Sequence, residues 1–455
     1  MNPESPEVQL QTVEQLFSWI EGFTNLERSG TPYSARAYQL ERMYGLLELF
    51  GQPQKYFRSV HIAGSKGKGS TAALLAWSLQ ASGPRTGLYT SPHVDSYLER
   101  YAVLEGGRLD QAPQTLLKLG RRLQEGIENL PPTFRDRYGP PTTFELLTLL
   151  AFLLFRELGC PWAVLETGIG GRLDATNTVK PELCLITPIE LEHTEVLGST
   201  LRAIAGEKAG IIKSGIPVYC SAQDREAREV LRSAAAERGS PIVFLDEELE
   251  SLASRFALEG TELRLRFRGE SERRYTLSLI GDFQAENAAL VDLAARRTLG
   301  LPEEALAVGL RAARLPGRLE LVRRDPPVVL DGAHTPRSVA RVLEVFRSLF
   351  GSDGVLLFGA AKDKNTEEMS AILAPAFQRI VITSPGRFKA SEPERMHRQF
   401  SAYQSAALLE PRTAQAVALA LDLTEGRRPL LVLGSFYLAG EARRALAERG
   451  QQARG

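Results

Sequence analysis

The chain is poor in the residues that advertise particular chemistries. It holds three cysteines and five histidines among 455 residues. Cys160, Cys184 and Cys220 are odd in number, lack CxxC spacing and sit in or beside apolar runs. That pattern excludes a disulfide framework and a cysteine-built zinc site and favours reduced, buried thiols. Net charge is absent too: 55 Lys and Arg balance 55 Asp and Glu. No bulk field draws nucleic acid or an anionic membrane, so any anion site must be local. The longest apolar run, residues 146–155, is about half of what a bilayer span requires. The opening Met1-Asn2-Pro3-Glu4-Ser5-Pro6-Glu7 has neither the basic stretch nor the apolar core of a signal peptide, and a cytoplasmic protein is expected. No repeat or low-complexity segment is present.

What is there is a phosphate-loop pattern. Val60-His61-Ile62-Ala63 runs into Gly64-Ser65-Lys66-Gly67-Lys68-Gly69-Ser70-Thr71, and an apolar helical pattern follows at once. Glycines let the backbone approach a phosphate and turn its N–H groups inward, and a helix N-terminus adds a favourable dipole. Lys68 is then placed for the β/γ-phosphates and Ser70 for Mg²⁺. The spacing departs from the common loop, because Gly69 separates the lysine from the hydroxyl.

The length suggests two or three domains. Two amphipathic helical patterns fill residues 8–50, broken near Gly30-Thr31-Pro32. Buried-type strands are expected at 86–90, 163–165, 183–187, 216–219 and 242–245. Three of them end in polar clusters: Ser91-Pro92-His93, a second Gly-rich stretch from Glu166 to Asn177, and Glu192-His193-Thr194. Glu207 to Lys213 precedes another. Open α/β sheets place ligands at such strand ends, so a composite site is expected along one sheet edge. Glu145, in the first turn of the most apolar helix, either complements the helix dipole or faces a metal near the phosphates. Leu263, Leu265 and Phe267 alternate with Arg264, Arg266 and Arg268, the period of a half-buried antiparallel strand with a solvated arginine face. A boundary falls near 314–318. Beyond it, strands at 328–330, 355–358, 380–383 and 430–433 form a smaller, mostly parallel sheet whose ends carry Asp331-Gly332-Ala333-His334, Lys362-Asp363-Lys364-Asn365 and Gly434-Ser435-Phe436. The expectation is an α/β chain with an N-terminal P-loop-type ATPase domain, 1–313, and a smaller Rossmann-like C-terminal domain, 314–455. Two such domains facing each other suit phosphoryl transfer onto an acceptor held across the cleft. A kinase, an ATP-driven ligase and a motor ATPase all remain open on these grounds.

The motifs at 61–71, 89–93, 143–145, 166–177, 207–213, 287–288, 316–320, 331–336, 362–364 and 434–441 occur in this order over both domains. Through them the chain resembles the folylpolyglutamate synthase and dihydrofolate synthase family of the ATP-dependent Mur ligase superfamily. The resemblance implies an ATP-binding central domain followed by a glutamate-ligase domain. It implies a monomeric cytoplasmic enzyme that joins L-glutamate to a reduced folate, or to dihydropteroate, through an acyl phosphate, without nucleic acid or membrane. By the same resemblance Gly64, Ser65, Lys66, Gly67, Lys68, Gly69 and Ser70 cradle the triphosphate of ATP. Ser91 and Glu145 bind one Mg²⁺ and His193 a second. Lys208 matches a lysine that family members carbamylate, and Asn287 and Arg318 match adenine-side contacts. Asp331 matches an ATP contact from the second domain, and His334 lies by the incoming glutamate or the acyl phosphate. Lys68, Lys208 and His334 are the implied catalytic set. The alternatives are a Mur-type ligase for another carboxylate or amino acid, and a nucleotide-binding relative without catalysis. Four departures from the family pattern stand out. Ser65-Lys66 replaces the usual Thr-Asn, Glu192 the usual Asp, Thr335 the usual Asn, and Lys389 a common Arg, which loses bidentate carboxylate recognition.

Overall fold

The computed structural model describes residues 10–26, 38–386, 390–403 and 406–452. The break expected at Gly30-Thr31-Pro32 and the departure at Lys389 lie outside them. The phosphate-loop strand, Arg58–Ala63, is buried from its second residue onward and lies inside an eight-stranded sheet. From edge to edge the strands are Arg108–Asp110, Tyr101–Glu105, Thr86–Tyr89, Trp162–Glu166, Arg58–Ala63, Leu183–Ile186, Val218–Cys220 and Ile242–Phe244. The six expected from buried runs are parallel, and the first two add an antiparallel edge. These two edge strands were not expected.

Parallel sheets are covered on both faces, so their strands feed two cores by alternation. Val60, Ile62, Leu88 and Val164 enter one core, and Tyr89, Ala163 and Leu165 the other. The helix Lys68–Ala81 fills the first. It is apolar or small on every side and buried throughout from Gly69 to Gln80, as a helix enclosed by protein must be. The helix Thr143–Glu157 fills the second core with Leu146, Leu149, Leu150 and Phe152. A three-stranded antiparallel sheet, Leu249–Ala257, Gly260–Phe267 and Arg273–Leu277, covers the helix Asp282–Ala294. Its alternation is as expected: Leu263, Leu265 and Phe267 are buried and Arg264, Arg266 and Arg268 exposed.

The second sheet has six strands in the order Glu320–Arg324, Pro327–Leu330, Leu430–Leu433, Val355–Phe358, Arg379–Ile382 and Leu408–Leu409. All neighbours are parallel except the first pair. Helices cover both its faces with separate cores. The two sheets meet through salt bridges. Arg443 and Arg444 reach Glu99 at 3.2 Å and Asp95 at 3.0 Å, and Arg337 reaches Glu190 at 3.1 Å. Between them the strand ends of both sheets line one cavity of about 230 Å³. Among the described residues no helix is long and apolar enough to cross a membrane.

Helix Glu303–Ala312 packs so closely on Lys68–Ala81 that a Cβ on Gly309 would lie 2.3 Å from the Ser78 Cα. Backbone cannot yield as a flexible side chain can. Gly309→Val should lower unfolding free energy by about 1–3 kcal/mol in chemical denaturation, and shift the phosphate-loop helix enough to weaken nucleotide binding.

Candidate active site

The loop after Ala63 is shaped by what cannot be added to it. A Cβ on Gly64 would come 1.8 Å from Thr187 Oγ1, and Gly67 has φ +87° with Asn287 Oδ1 2.6 Å from where its Cβ would stand. Glycine meets both demands. The amides of Ser65 and Lys66 donate to the Pro188 carbonyl at 2.8 and 3.2 Å, and Ser65 Oγ donates to the Glu190 carbonyl at 3.1 Å. The helix starts at Lys68 with no side-chain cap and no acid in its first turn, so its leading N–H groups remain available to an anion. Lys68 makes no hydrogen bond or ion pair among the described residues. Gly64 to Ser70 thus form a braced, cationic concavity, and residues 65–70 line the shared cavity.

Glu145 and Glu166 line different cavities. Glu145 does not reach this cavity. Arg42 Nε donates to its oxygens at 2.9 and 2.8 Å, and the Thr142 amide donates to Oε2 at 2.7 Å, closing a capping box. Both oxygens are committed in a buried pair, and Glu145 lines a different cavity. Glu166, at the carboxyl end of its strand, reaches the shared cavity instead. It lines the cavity with Ser91, whose amide donates to Oε2 at 3.0 Å. Oε1 has no partner among the described residues. Burial raises the Glu166 pKa, opposed by Lys68 and the Ser91 amide. The sequence placed Glu166 in a Gly-rich stretch at a strand end of the composite site without singling it out among the site residues.

His193 stands at the rim in a left-handed conformation, φ +49°. Its neighbour Glu192 binds two lysines: Lys66 Nζ is 3.2 Å from Oε2 and Lys208 Nζ 3.5 Å from Oε1. Burial alone would raise the Glu192 pKa, but Lys66 and Lys208 outweigh it and hold the carboxyl well below its usual range. Lys208 also donates to the Gly64 carbonyl at 2.6 Å. Its burial outweighs the pull of Glu192 and brings its pKa down to about 8. No three His, Cys, Asp or Glu among the described residues converge as a preformed metal cage. A hydroxyl, one carboxylate with a spare oxygen and an imidazole suit a hard cation that arrives largely on substrate phosphates, as Mg²⁺ does.

On the helix Asp282–Ala294, Asn287 abuts Gly67 and donates to Gln284 Oε1 at 3.0 Å. The second sheet's unit contributes the opposite wall. Arg318 lies over the Phe436 ring, 4.0 Å from its centroid. Asp331 accepts from the amides of Leu319 at 2.8 Å and Ala333 at 2.7 Å, so it shapes the strand end it occupies. His334 Nδ1 donates to the Gly332 carbonyl at 2.7 Å, which leaves Nε2 as its basic nitrogen. Burial first, then the charges of Lys66 and Lys364, hold His334 well below the usual imidazole pKa. Thr335 is the N-cap of helix Pro336–Phe350, bonded to Ser338, a position that accepts Thr and Asn alike.

A second, tighter cavity lies behind the Gly-rich stretch, lined by Tyr38, Arg42, Met43, Phe144, Glu145 and Asp174 among others. Asp174 folds the stretch around itself. It accepts from the amides of Gly168 and Thr176 at 2.9 and 3.0 Å, and burial raises its pKa to about 6 against those bonds.

Known proteins match this arrangement. A family model described as the Mur ligase middle domain covers residues 62–295, and one described as the Mur ligase glutamate ligase domain covers 317–436. The dihydrofolate synthase/folylpolyglutamate synthase of Bacillus subtilis is 37% identical over 337 residues, 72% of this chain and 77% of that protein. The folylpolyglutamate synthase of Lacticaseibacillus casei is 32% identical over 426 residues, 91% of this chain and 96% of that protein. The solved Mycobacterium tuberculosis folylpolyglutamate synthase complexed with ADP superposes with a TM-score of 0.83 at 28% identity, covering 95% of this chain and 97% of that one. The chain belongs to the folylpolyglutamate synthase and dihydrofolate synthase family of the Mur ligases.

Proposed function

We propose that the protein is an ATP-dependent ligase that adds L-glutamate to a folate, and to dihydropteroate, through an acyl phosphate. The observation that carries this reading is the single cavity in which the phosphate loop and Glu166 of one sheet face Asp331 and His334 of the other. Residues 1–313 act as the ATP-binding unit and 314–455 as the unit that receives the amino acid. The relatives bear the same names, and one solved relative is a complex with AMPPCP and folate.

The acceptor carboxylate attacks the γ-phosphorus of ATP, and the electron pair of the broken bond leaves on ADP. Gly64 to Ser70 form the loop, the backbone amides of Gly67 to Ser70 hold the phosphates, and Lys68 follows the charge as it shifts. Ser91, Glu166 and His193 are the residues that would hold Mg²⁺, which supplies further neutralisation of phosphate charge when bound. Asn287 and Arg318 sit on the base side. The glutamate amine then attacks the acyl carbon. Its nitrogen turns acidic as the C–N bond forms, and neutral His334 takes the proton at Nε2 before phosphate leaves. Closure of the two units brings His334 to the reacting carbon. The acceptor's aromatic ring packs at the second cavity against Phe144, in a wall whose shape the Arg42–Glu145 pair and Asp174 set. This reading gives Glu145 a place with the acceptor instead of the metal.

Lys208 becomes a carbamate when its neutral amine adds CO₂ and releases a proton. A pKa near 8 leaves a useful neutral fraction at physiological pH, and a carbamate beside the phosphates favours a cation there where an ammonium repels it. The protein works as a monomer in the cytoplasm.

Glu166→Gln should weaken Mg²⁺-dependent AMPPCP binding roughly ten- to hundredfold, measured by calorimetry. Glu145→Gln should leave that binding unchanged and raise the KM for the folate acceptor. Removing dissolved CO₂ should lower kcat, and bicarbonate should restore it. The restored part should grow as pH rises through about 8, as Lys208 loses its proton. Lys208→Met should be indifferent to bicarbonate.

A further inference from the structure

We infer that Lys66 is a cation of the reaction site that contacts the terminal phosphoryl group of the nucleotide, with Glu192 as the residue that stations it there. The inference deepens the ligase reading and rests on it. Lys66 and Glu192 are two departures from the family pattern, 126 residues apart, and the structure pairs them at 3.2 Å. Glu192 is one methylene longer than the usual Asp, so its carboxylate reaches further toward the added lysine. The two departures form a matched set.

Three further observations place Lys66 on the side of the chemistry. Its backbone is pinned, because its amide and that of Ser65 both end on the Pro188 carbonyl. Of the three charged side chains in the cluster it is the accessible one: Lys208 is 2% exposed and Glu192 10%, whereas Lys66 is 26% exposed and lines the cavity. It also shares the wall of one cavity with His334 from the other unit. Asn287, on the base side, abuts Gly67 instead.

The energetics favour a hand-over. Lys66 is the more exposed member of its pair with Glu192, so water can take up its ammonium as the pair opens. The lysine stem is flexible, and its ammonium is a compact point charge suited to phosphate. With Lys208 as an ammonium the cluster carries one surplus positive charge, and with Lys208 as a carbamate Lys66 is its one cation, so in either state the ammonium of Lys66 is the charge that a γ-phosphoryl group meets and ADP does not. Lys66 can therefore turn from Glu192 toward the phosphoryl group.

The test compares ADP with AMPPCP by calorimetry, with Mg²⁺ present, on the full chain. Lys66→Met should weaken AMPPCP about tenfold and leave ADP within about twofold, with kcat reduced. Lys66→Arg should restore most of the preference. Lys66→Asn, which introduces the family's usual residue, is the second neutral variant should the Met chain fail to fold, and melting temperatures confirm that each variant is native. Equal loss for both nucleotides, or no loss for either, in a neutral variant would overturn the inference while leaving the ligase reading intact. A wild-type chain that binds no AMPPCP overturns both.

Discussion

The carbonyl of Pro188 accepts the amides of both Ser65 and Lys66, and the site depends on that brace. A phosphate loop must keep its leading amides free for the ligand, so the amides at its start need partners elsewhere. Here the strand Leu183–Ile186 runs alongside Arg58–Ala63 and delivers Pro188 to that point. The same segment continues to Glu190, which pairs with Arg337 across the cleft, and to Glu192, which holds Lys66 and Lys208. One short stretch therefore shapes the phosphate loop, sets its charge and touches the second sheet.

Charge balance is the second constraint. A cavity that takes a polyphosphate needs surplus positive charge, yet buried lysines without a partner are costly. Glu192 satisfies two ammonium groups with one carboxylate, and Glu166 lies near Lys68 without closing an ion pair on it. The cations are thus held without being neutralised. Far from the nucleotide the logic reverses: Arg42 and Glu145 pair fully, inside a wall that takes no phosphate.

Much of this was legible in the chain. Residues 183–186, 355–358 and 430–433 lie in continuous apolar runs, and such runs become central parallel strands. Arg108–Asp110 and Leu408–Leu409 were not legible, because short edge strands are set by a neighbour's free edge and carry little pattern of their own. The phosphate loop could be read because glycine, lysine and strand-to-helix context coincide within twelve residues. Glu145 could not be told from Glu166 by local sequence. The partner that claims Glu145 is Arg42, 103 residues earlier, and only the fold brings the two together. The pairing of Lys66 with Glu192 was hidden in the same way, so two departures that looked separate proved to be one feature.

The central claim is that both sheets build one site in which an acceptor carboxylate is activated by phosphoryl transfer before an amine displaces phosphate. The direct test is a turnover with folate whose γ-carboxylate carries heavy oxygen, with ATP, Mg²⁺ and L-glutamate. The account predicts that heavy oxygen appears in the released inorganic phosphate in step with a folate product larger by one glutamate residue. Phosphate free of label, or ATP hydrolysis with no gain in folate mass, would contradict it.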